Sequence, residues 1–153
     1  MASSVHRPLR LVLDTNVVVA GLLWRGPPRR LIELAIDGEA VELFSSRVLL
    51  VELARTLGHA KFAARSQAFG AGIEALIEQY STLVSVVTPA TTPRVVANDA
   101  DDDHVIAAAV AARAELIVTG DRKHLLPIGS HRGIAIVTAR EVVDRLDGVE
   151  QAV

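Results

Sequence analysis

The sequence predicts an α/β protein with a single domain, in which helices cover both faces of a central five-stranded parallel sheet. Short apolar runs alternate with longer stretches of helical periodicity, which is typical of this class. The first run, Leu9–Leu13, contains branched residues and no helical polar face, which favours a buried strand. A length of 153 residues suits one domain with a substantial core.

The elements follow from this alternation. The predicted strands, each bounded by polar or turn-forming residues, are Leu9–Leu13, Val41–Phe44, Leu83–Val87, Glu115–Thr119 and Ile134–Val137. The predicted helices occupy the intervals and the end of the chain, at about 16–24, 28–37, 47–57, 60–67, 73–80, 104–113 and 139–146. Residues 88–98 contain two prolines and are predicted as a loop. The domain thus spans 9–146, between a short tail at 1–8 and a C-terminal tail at 147–153.

Two helix starts carry specific signals. Pro28 is well tolerated in a first helical turn, so the second helix is placed to begin near it. Ser45 or Ser46 is a candidate N-cap for the third helix, because a serine hydroxyl can accept a hydrogen bond from a free N–H of the first turn.

Composition excludes several kinds of protein. The chain has no cysteine, which excludes disulfides, thiolate zinc sites and cysteine nucleophiles. The formal net charge of −2 gives no general electrostatic reason to bind nucleic acid, and the 3% aromatic content argues against recognition by base stacking. The polar start, residues 1–8, lacks the layout of a signal peptide, so a cytoplasmic location is expected.

Acidic residues follow two of the predicted strands. Asp14 comes directly after the first strand, and Asp121 follows the fourth strand after Gly120. If these strands are parallel neighbours, both carboxylates lie on the edge of the sheet where α/β proteins build their ligand sites.

Further acids lie on helices. The cluster 99–103 precedes a helical run, and Asp102 and Asp103 are placed three or four residues ahead of Ile106, on its inward face. Glu52 lies between apolar neighbours of the third helix.

Electrostatic repulsion makes such a cluster informative. Two carboxylates about 4 Å apart repel by roughly 4 kcal/mol at an effective dielectric near 20, and net stability is only about 5–15 kcal/mol. Several acids together are tolerable only if they diverge, take up protons or hold a cation. Oxygen ligands favour Mg²⁺ or Mn²⁺ over zinc, and no histidine is assigned to the metal.

Each acid also fits a structural role. Asp14 can cap the helix that follows it, and Asp121 can be a turn residue. The cluster 99–103 can be a solvated helix cap, and a glutamate in mid-helix, such as Glu52, is usually solvated. Thr15, Asn16 and Thr119 can orient ligands or water, or can equally satisfy the backbone of turns.

The four acidic motifs resemble those of the PIN-domain nucleases, most closely the toxin nucleases of bacterial toxin–antitoxin pairs. The resemblance runs from about Leu9 to Leu146 and rests on Leu-Val-Leu-Asp14-Thr-Asn, on Glu52 in Leu-Leu-Val-Glu-Leu-Ala, on Asp-Ala-Asp-Asp-Asp before the alanine-rich helix, and on Ile-Val-Thr-Gly-Asp121. It implies a five-stranded parallel sheet and an Mg²⁺- or Mn²⁺-dependent endoribonuclease.

The resemblance also implies roles for particular residues. Asp14, Glu52 and Asp121 become acids of the metal site, and Thr119 and Asn16 become supporting groups. Asp103 has the spacing found in many toxin nucleases, whereas Asp102 occupies the position of the acid in related sequences, so both remain candidate metal ligands. Asp103 is assigned a catalytic role together with Asp14, Glu52 and Asp121.

The same resemblance implies partners. An RNA substrate, a homodimer and an antitoxin from a neighbouring gene are expected, and no membrane partner. The candidate phosphate contacts are the basic residues near the first helices and after Asp121, namely Arg25, Arg29, Arg30, Arg122, Lys123 and His124. The alternatives are a non-catalytic binding module with the same fold, and an aspartate-nucleophile phosphatase, which Asn16 disfavours because such enzymes carry an acid at that position.

Overall fold

A computed structural model describes residues 7–68, 72–90 and 100–151, and within these ranges the chain forms six strands and seven α-helices. The strands are β1 (Leu9–Leu13), β2 (Val41–Ser46), β3 (Ser85–Val87), β4 (Leu116–Val118), β5 (Ser130–His131) and β6 (Ile134–Val137). The helices are α1 (Thr15–Leu23), α2 (Pro27–Asp37), α3 (Arg47–Leu57), α4 (Ala60–Ala68), α5 (Ile73–Leu83), α6 (Ala100–Ala112) and α7 (Ala139–Gln151). No helix among the described residues has the length and apolar character needed to cross a membrane.

The strands form one sheet in the order β3-β2-β1-β4-β6-β5, and every pairing except β5–β6 is parallel. The predicted α/β class and five-stranded parallel sheet are therefore confirmed. The short edge strand β5 was not predicted. It is held by a hairpin turn in which Arg132 and Gly133 both have positive φ, at 51° and 80°, as tight two-residue hairpins require.

Alternating side chains of the strands pack into two separate cores. Leu11 and Leu13 of β1 point to a cluster formed with α1, α2, α3, α5 and α7. Val12 points to the opposite cluster, which includes Ile117 of β4 and Ile106 of α6. The protein thus has three layers, with α6 covering most of the second face.

Several helices begin where the sequence indicated. Ser46 is the N-cap of α3 and accepts a hydrogen bond from the N–H of Leu49 at 3.3 Å. Pro27 and Pro28 open α2, and Gly38 ends it in the left-handed conformation at φ 71°, where a side chain would be strained.

Three elements differ in extent from the prediction. Helix α6 begins at Ala100 rather than near His104, so that the acids lie inside its first turns. Helix α7 continues to Gln151, through residues assigned to a tail. Strand β3 begins at Ser85 because α5 extends to Leu83. The predicted loop beyond residue 90, Asp99, most of the Gly70–Gly72 linker and residues 1–6 lie outside the described residues.

The strand order places a topological switch point beside β1. From β1 the chain moves outward to β2 and β3 and then returns to β4 on the other side of β1. The segments that leave the two central strands go to opposite faces, since α1 packs in one core and Leu125, after β4, packs in the other. Ligand sites of open α/β sheets form outside the carboxyl ends of strands at such a switch point.

Candidate metal centre

Asp14 lies at the carboxyl end of β1, at this switch point. Its N–H donates to the carbonyl of Val118 on β4 at 2.9 Å, which ties it to the neighbouring strand. Its Oδ1 accepts the N–H of Thr15 at 2.8 Å, so Asp14 also caps α1. The side chain is buried. Capping α1 engages only Oδ1, so Asp14 can cap the helix and also belong to the site.

Thr119 connects the two strand-end acids. Its hydroxyl donates to Oδ2 of Asp14 at 2.8 Å and accepts the N–H of Asp121 at 3.0 Å. Thr119 is fully buried, so the hydroxyl has little freedom to exchange these partners for water. Asp14 and Asp121 consequently lie on the same edge of the sheet, as predicted from the two parallel strands.

Asp121 is held in a tight turn that favours its ionised form. Its Oδ1 accepts the N–H groups of Lys123 at 3.0 Å and His124 at 3.1 Å. Burial raises the pKa of Asp121, but these two backbone hydrogen bonds, a hydrogen bond with the Asp102 side chain and the nearby imidazole of His124 together lower it below its ordinary value. The structural role suggested for Asp121 is real, and it engages Oδ1, whereas Oδ2 lies 3.4 Å from Nδ1 of His124.

Helix α6 brings further acids to this edge. Asp102 is 6% exposed and Asp103 is fully buried, as the inward-facing prediction required. The side chains of Asp102 and Asp121 are in hydrogen-bonding contact. Asp101 and Asp99 cannot be assigned a place, because the side chain of the first and the whole of the second lie outside the described residues.

His124 completes a compact group with these two acids. Its Nδ1 lies 3.4 Å from Oδ2 of Asp121 and 3.9 Å from Oδ2 of Asp102. Among the described residues, Asp102, Asp121 and His124 are the group of three whose possible ligand atoms all lie within 4.8 Å of one another. His124 was predicted as a phosphate contact and not as a metal ligand, so the geometry adds a candidate ligand to the predicted acids.

The donor set fits a divalent cation. Ligands about 2.1 Å from an Mg²⁺ ion lie at most about 4.2 Å from each other, and both distances to His124 fall within that limit. Two carboxylates suit Mg²⁺ or Mn²⁺, and one imidazole shifts the preference toward Mn²⁺. Asp14 is linked to Asp121 of this group by the hydroxyl of Thr119. In the described part of the chain, Asp103 and Glu52 do not belong to the group of three.

The other predicted site residues occupy distinct positions. Glu52 is half-buried on α3 and lines a shallow cavity with Arg47, Val48, Val51 and Arg55. Thr15 is buried beside Asp14, and Asn16 is exposed in the first turn of α1.

The predicted phosphate contacts separate into three locations. Arg122 and Lys123 belong to the turn after β4, beside Asp121. Arg25 and Arg29 line a cavity at the far end of α1. Arg30 lines a different cavity with Leu9 and Glu115, at the amino ends of the strands. The structure thus does not bring Arg30 to the acidic edge.

Helix N-termini converge on the acidic edge. Helices α1, α3 and α7 each start directly after a strand of the sheet, and α6 starts with the acids that contact Asp121. Thr138 caps α7 by accepting the N–H of Glu141 at 3.2 Å. The partial positive charge of each N-terminus stabilises anionic groups nearby by about 0.3–1 kcal/mol at exposed positions. This offsets part of the repulsion among the acids.

The fold and this group of residues define an α/β protein with an acidic, metal-compatible centre at the switch point of its sheet. A family model described as PIN domain matches residues 10–123, a span that contains Asp14, Glu52, Asp102, Asp103 and Asp121. The chain therefore belongs to the PIN domain family, whose members are generally nucleases, and its fold is of the nuclease type. No curated protein matches the chain.

Proposed function

We propose that this protein is an Mg²⁺- or Mn²⁺-dependent endoribonuclease that hydrolyses RNA phosphodiester bonds. The observation that carries the proposal is the convergence of Asp14, Asp102 and Asp121 from three separate elements on one edge, linked by Thr119 and completed by His124. A structural role for each acid alone does not require this convergence. The nuclease character of the family supplies the reaction class.

The acids divide into holding and positioning roles. Asp102, Asp121 and His124 would hold the cation, and Asp14 would complete its surroundings from the neighbouring strand. When bound, a divalent cation lowers the pKa of a water and stabilises negative charge on phosphate oxygens. Thr119 fixes the orientation of the Asp14 carboxylate, and the backbone N–H groups of residues 123 and 124 fix that of Asp121.

The surroundings of the centre suit a phosphodiester. The N-termini of α1, α3 and α7 are directed at the same edge and provide partial positive charge for phosphate oxygens. Arg122 and Lys123 add full charges next to Asp121. These cations account for RNA binding by a chain whose formal net charge is −2.

The biological role follows from the motif resemblance. The likeness to toxin nucleases extends the proposal to a toxin that cleaves cytoplasmic RNA, forms a homodimer and is neutralised by an antitoxin encoded beside it. Co-expression with the adjacent short reading frame tests this part: growth arrest by this chain alone and its relief by the neighbour are expected. Unimpaired growth during expression of soluble, RNA-cleaving protein contradicts the toxin role and leaves the chemistry intact.

The chemistry is tested with purified protein, single-stranded RNA, and added Mn²⁺, Mg²⁺ or chelator. Cleavage is expected with either metal and is lost with chelator. Asp121→Asn is the sharpest variant, because an amide oxygen can still accept the two backbone N–H groups that hold the turn. Asp14→Asn is less clean, since both of its carboxylate oxygens accept hydrogen bonds.

A matched control is Asp37→Asn. Asp37 also accepts a backbone N–H, that of Glu39 at 2.9 Å, but in a turn after α2. Asp37→Asn should cleave at the wild-type rate, whereas Asp121→Asn should lose cleavage. Wild-type cleavage by Asp121→Asn, or cleavage that persists in chelator, contradicts the proposal.

A further inference from the structure

Trp24 is the only tryptophan of the chain and lies at the end of α1, where its backbone N–H donates a hydrogen bond to the carbonyl of Ala20. Its side chain is 40% exposed. The ring of Phe62, on α4, meets it edge to face, with ring centres 6.1 Å apart and an interplanar angle of 73°. This contact holds the indole in place while much of it faces solvent.

Cations surround this pair of rings. The guanidinium of Arg65 lies 5.5 Å from the centre of the Trp24 ring, and its Nε donates to the carbonyl of Leu23 at 3.0 Å. The ammonium group of Lys61 lies 5.0 Å from the centre of the Phe62 ring. Both cations are therefore placed by contacts with the end of α1 or with the aromatic pair.

Trp24 also lines an open cavity of about 430 Å³ with two further cations. Arg25 and Arg29 form part of its wall, and Glu33 is the one acid there. Arg29 donates to the carbonyl of Leu22 at 3.4 Å, with its Nε 4.0 Å from Glu33. The cavity wall and the two rings thus bring four cations to this part of the described surface, namely Arg25, Arg29, Lys61 and Arg65, although the whole chain has a net charge of −2.

An exposed aromatic ring among cations is the arrangement by which proteins bind unpaired nucleotides. A base stacks on the ring, and the cations attract the flanking phosphates. We propose that Trp24 stacks an unpaired base of single-stranded RNA, with Arg25 and Arg29 contacting the adjacent phosphates. The low aromatic content argued against a broad stacking surface, but a single well-placed ring is sufficient for one base.

The site is separate from the acidic centre. Nine residues of α1 lie between Asp14 and Trp24, which corresponds to about 15 Å along the helix axis. Trp24 is thus a positioning residue for a nucleotide at a distance from the bond that is cut. The inference rests on the proposed ribonuclease function for the identity of its ligand.

The charge balance favours RNA over a protein partner. An apolar peptide would gain little from four cations, and an acidic peptide would not need the aromatic ring. Single-stranded RNA carries both flat bases and regularly spaced anions, and it therefore uses both features of the site.

Because Trp24 is the only tryptophan, its fluorescence reports this site alone. The wild-type protein is titrated in chelator with a single-stranded oligoribonucleotide, with an abasic strand of the same length, and with an acidic peptide. Saturable quenching by the oligoribonucleotide is expected, with much weaker effects of the other two. Equal quenching by the abasic strand or by the peptide overturns base stacking.

Variants are measured by fluorescence anisotropy of labelled RNA. Trp24→Leu is expected to weaken binding by about 5- to 150-fold, the range for loss of one base–aromatic stack, and Trp24→Phe by less. Arg29→Gln should weaken binding and reduce its salt dependence. Arg145→Gln is the matched control, because it removes the same charge on α7 from a different cavity, at the amino ends of the strands. Melting temperatures verify that each variant is folded.

The outcomes separate this inference from the proposed function. Quenching without cleavage in Mn²⁺ supports the Trp24 site and contradicts the nuclease proposal. Cleavage by the wild type, together with unchanged RNA affinity of Trp24→Leu and Arg29→Gln, contradicts the Trp24 site and leaves the nuclease proposal standing.

Discussion

The hydroxyl group of Thr119 shows how one residue can organise two strand ends. It donates to Asp14 and accepts from the N–H of Asp121 inside a region that excludes water. Neither valine nor alanine can make these contacts, whereas serine can. The residue is therefore a positioning group whose effect passes through the two acids.

Thr119→Val is expected to destabilise the protein by about 1–3 kcal/mol, because the hydrogen bonds to a carboxylate and to a buried N–H are lost. Its affinity for Mn²⁺ should fall by about 10- to 100-fold, as found for groups that orient metal ligands. Thermal unfolding and calorimetric Mn²⁺ titration measure the two effects.

The control for this variant is Thr138→Val at the end of β6. Thr138 caps α7, so its loss should cost about 0.5–2 kcal/mol without changing the affinity for Mn²⁺. Equal affinity in wild type and Thr119→Val would remove Thr119 from the site.

Tyr80 allows a prediction about pH. Burial raises the pKa of Tyr80, the only tyrosine of the chain, well above its ordinary value near 10. The folded state favours the neutral phenol, so this contribution to stability is complete below about pH 10 and is lost as pH rises further. Absorbance titration should show no tyrosinate near pH 10 in folded protein and normal ionisation in denaturant. Ordinary ionisation in the folded protein would contradict the burial of this ring.

Residue identities were only partly predictable. The sequence indicated Asp14 and Asp121 because each follows a strand, and that signal depends on position along the chain. The sequence did not decide whether Asp102 or Asp103 is the third acid of the site. Both residues face inward, and their distances to Asp121 depend on how α6 packs against the sheet. His124 was predicted as a phosphate contact and not as a metal ligand, because its place beside the acids follows from the turn in which Asp121 accepts the next backbone N–H groups.

At the level of elements, the contact between α1 and α2 is set by a glycine. A Cβ added to Gly21 would lie 2.6 Å from Cδ1 of Ile32 and 3.0 Å from the backbone carbonyl of Pro28. The terminal methyl group of Ile32 can move away from the added Cβ. The backbone of Pro28 can move only if the start of α2 shifts with it.

Gly21→Ala is therefore expected to destabilise the protein by about 1–3 kcal/mol, the usual cost of overpacking. Alanine is otherwise the better helix former, so Gly148→Ala in α7, where nothing lies within 4 Å of the added Cβ, should stabilise by about 0.5–1 kcal/mol. Denaturant unfolding measures both. A stabilising Gly21→Ala would show that the two helices do not pack this closely.

Sequence patterns predicted elements well where the signal is local. Helix α3 has the predicted bounds because Ser46 caps its start. Strand β5 was missed because it has two residues and exists only through its pairing with β6. Helix α6 starts earlier than predicted, and two of the acids that resembled a loop, Asp102 and Asp103, are buried in its first turns.

At the scale of the whole molecule, the strand order determines where the acids meet. The alternation of strands and helices predicted a parallel sheet, but the adjacency of β1 and β4 was only a condition in that argument. The structure fulfils this condition, because β1 and β4 are parallel neighbours in which Leu13 pairs with Val118. No local pattern could have supplied this adjacency, since it depends on the crossover through β2 and β3.

The central claim is that acids from distant parts of the chain form one site for a divalent cation. The most direct measurement is the melting temperature of wild type and Asp121→Asn as Mn²⁺ is added to metal-free protein. Without metal, the variant should melt at or above the wild-type temperature, because the neutral amide removes one of the negative charges gathered at the acidic edge. At 100 times the dissociation constant, the wild type should gain about 5–10 °C, and the variant should gain almost nothing. A wild-type melting temperature that does not change with Mn²⁺, or an equal rise in Asp121→Asn, would contradict the account.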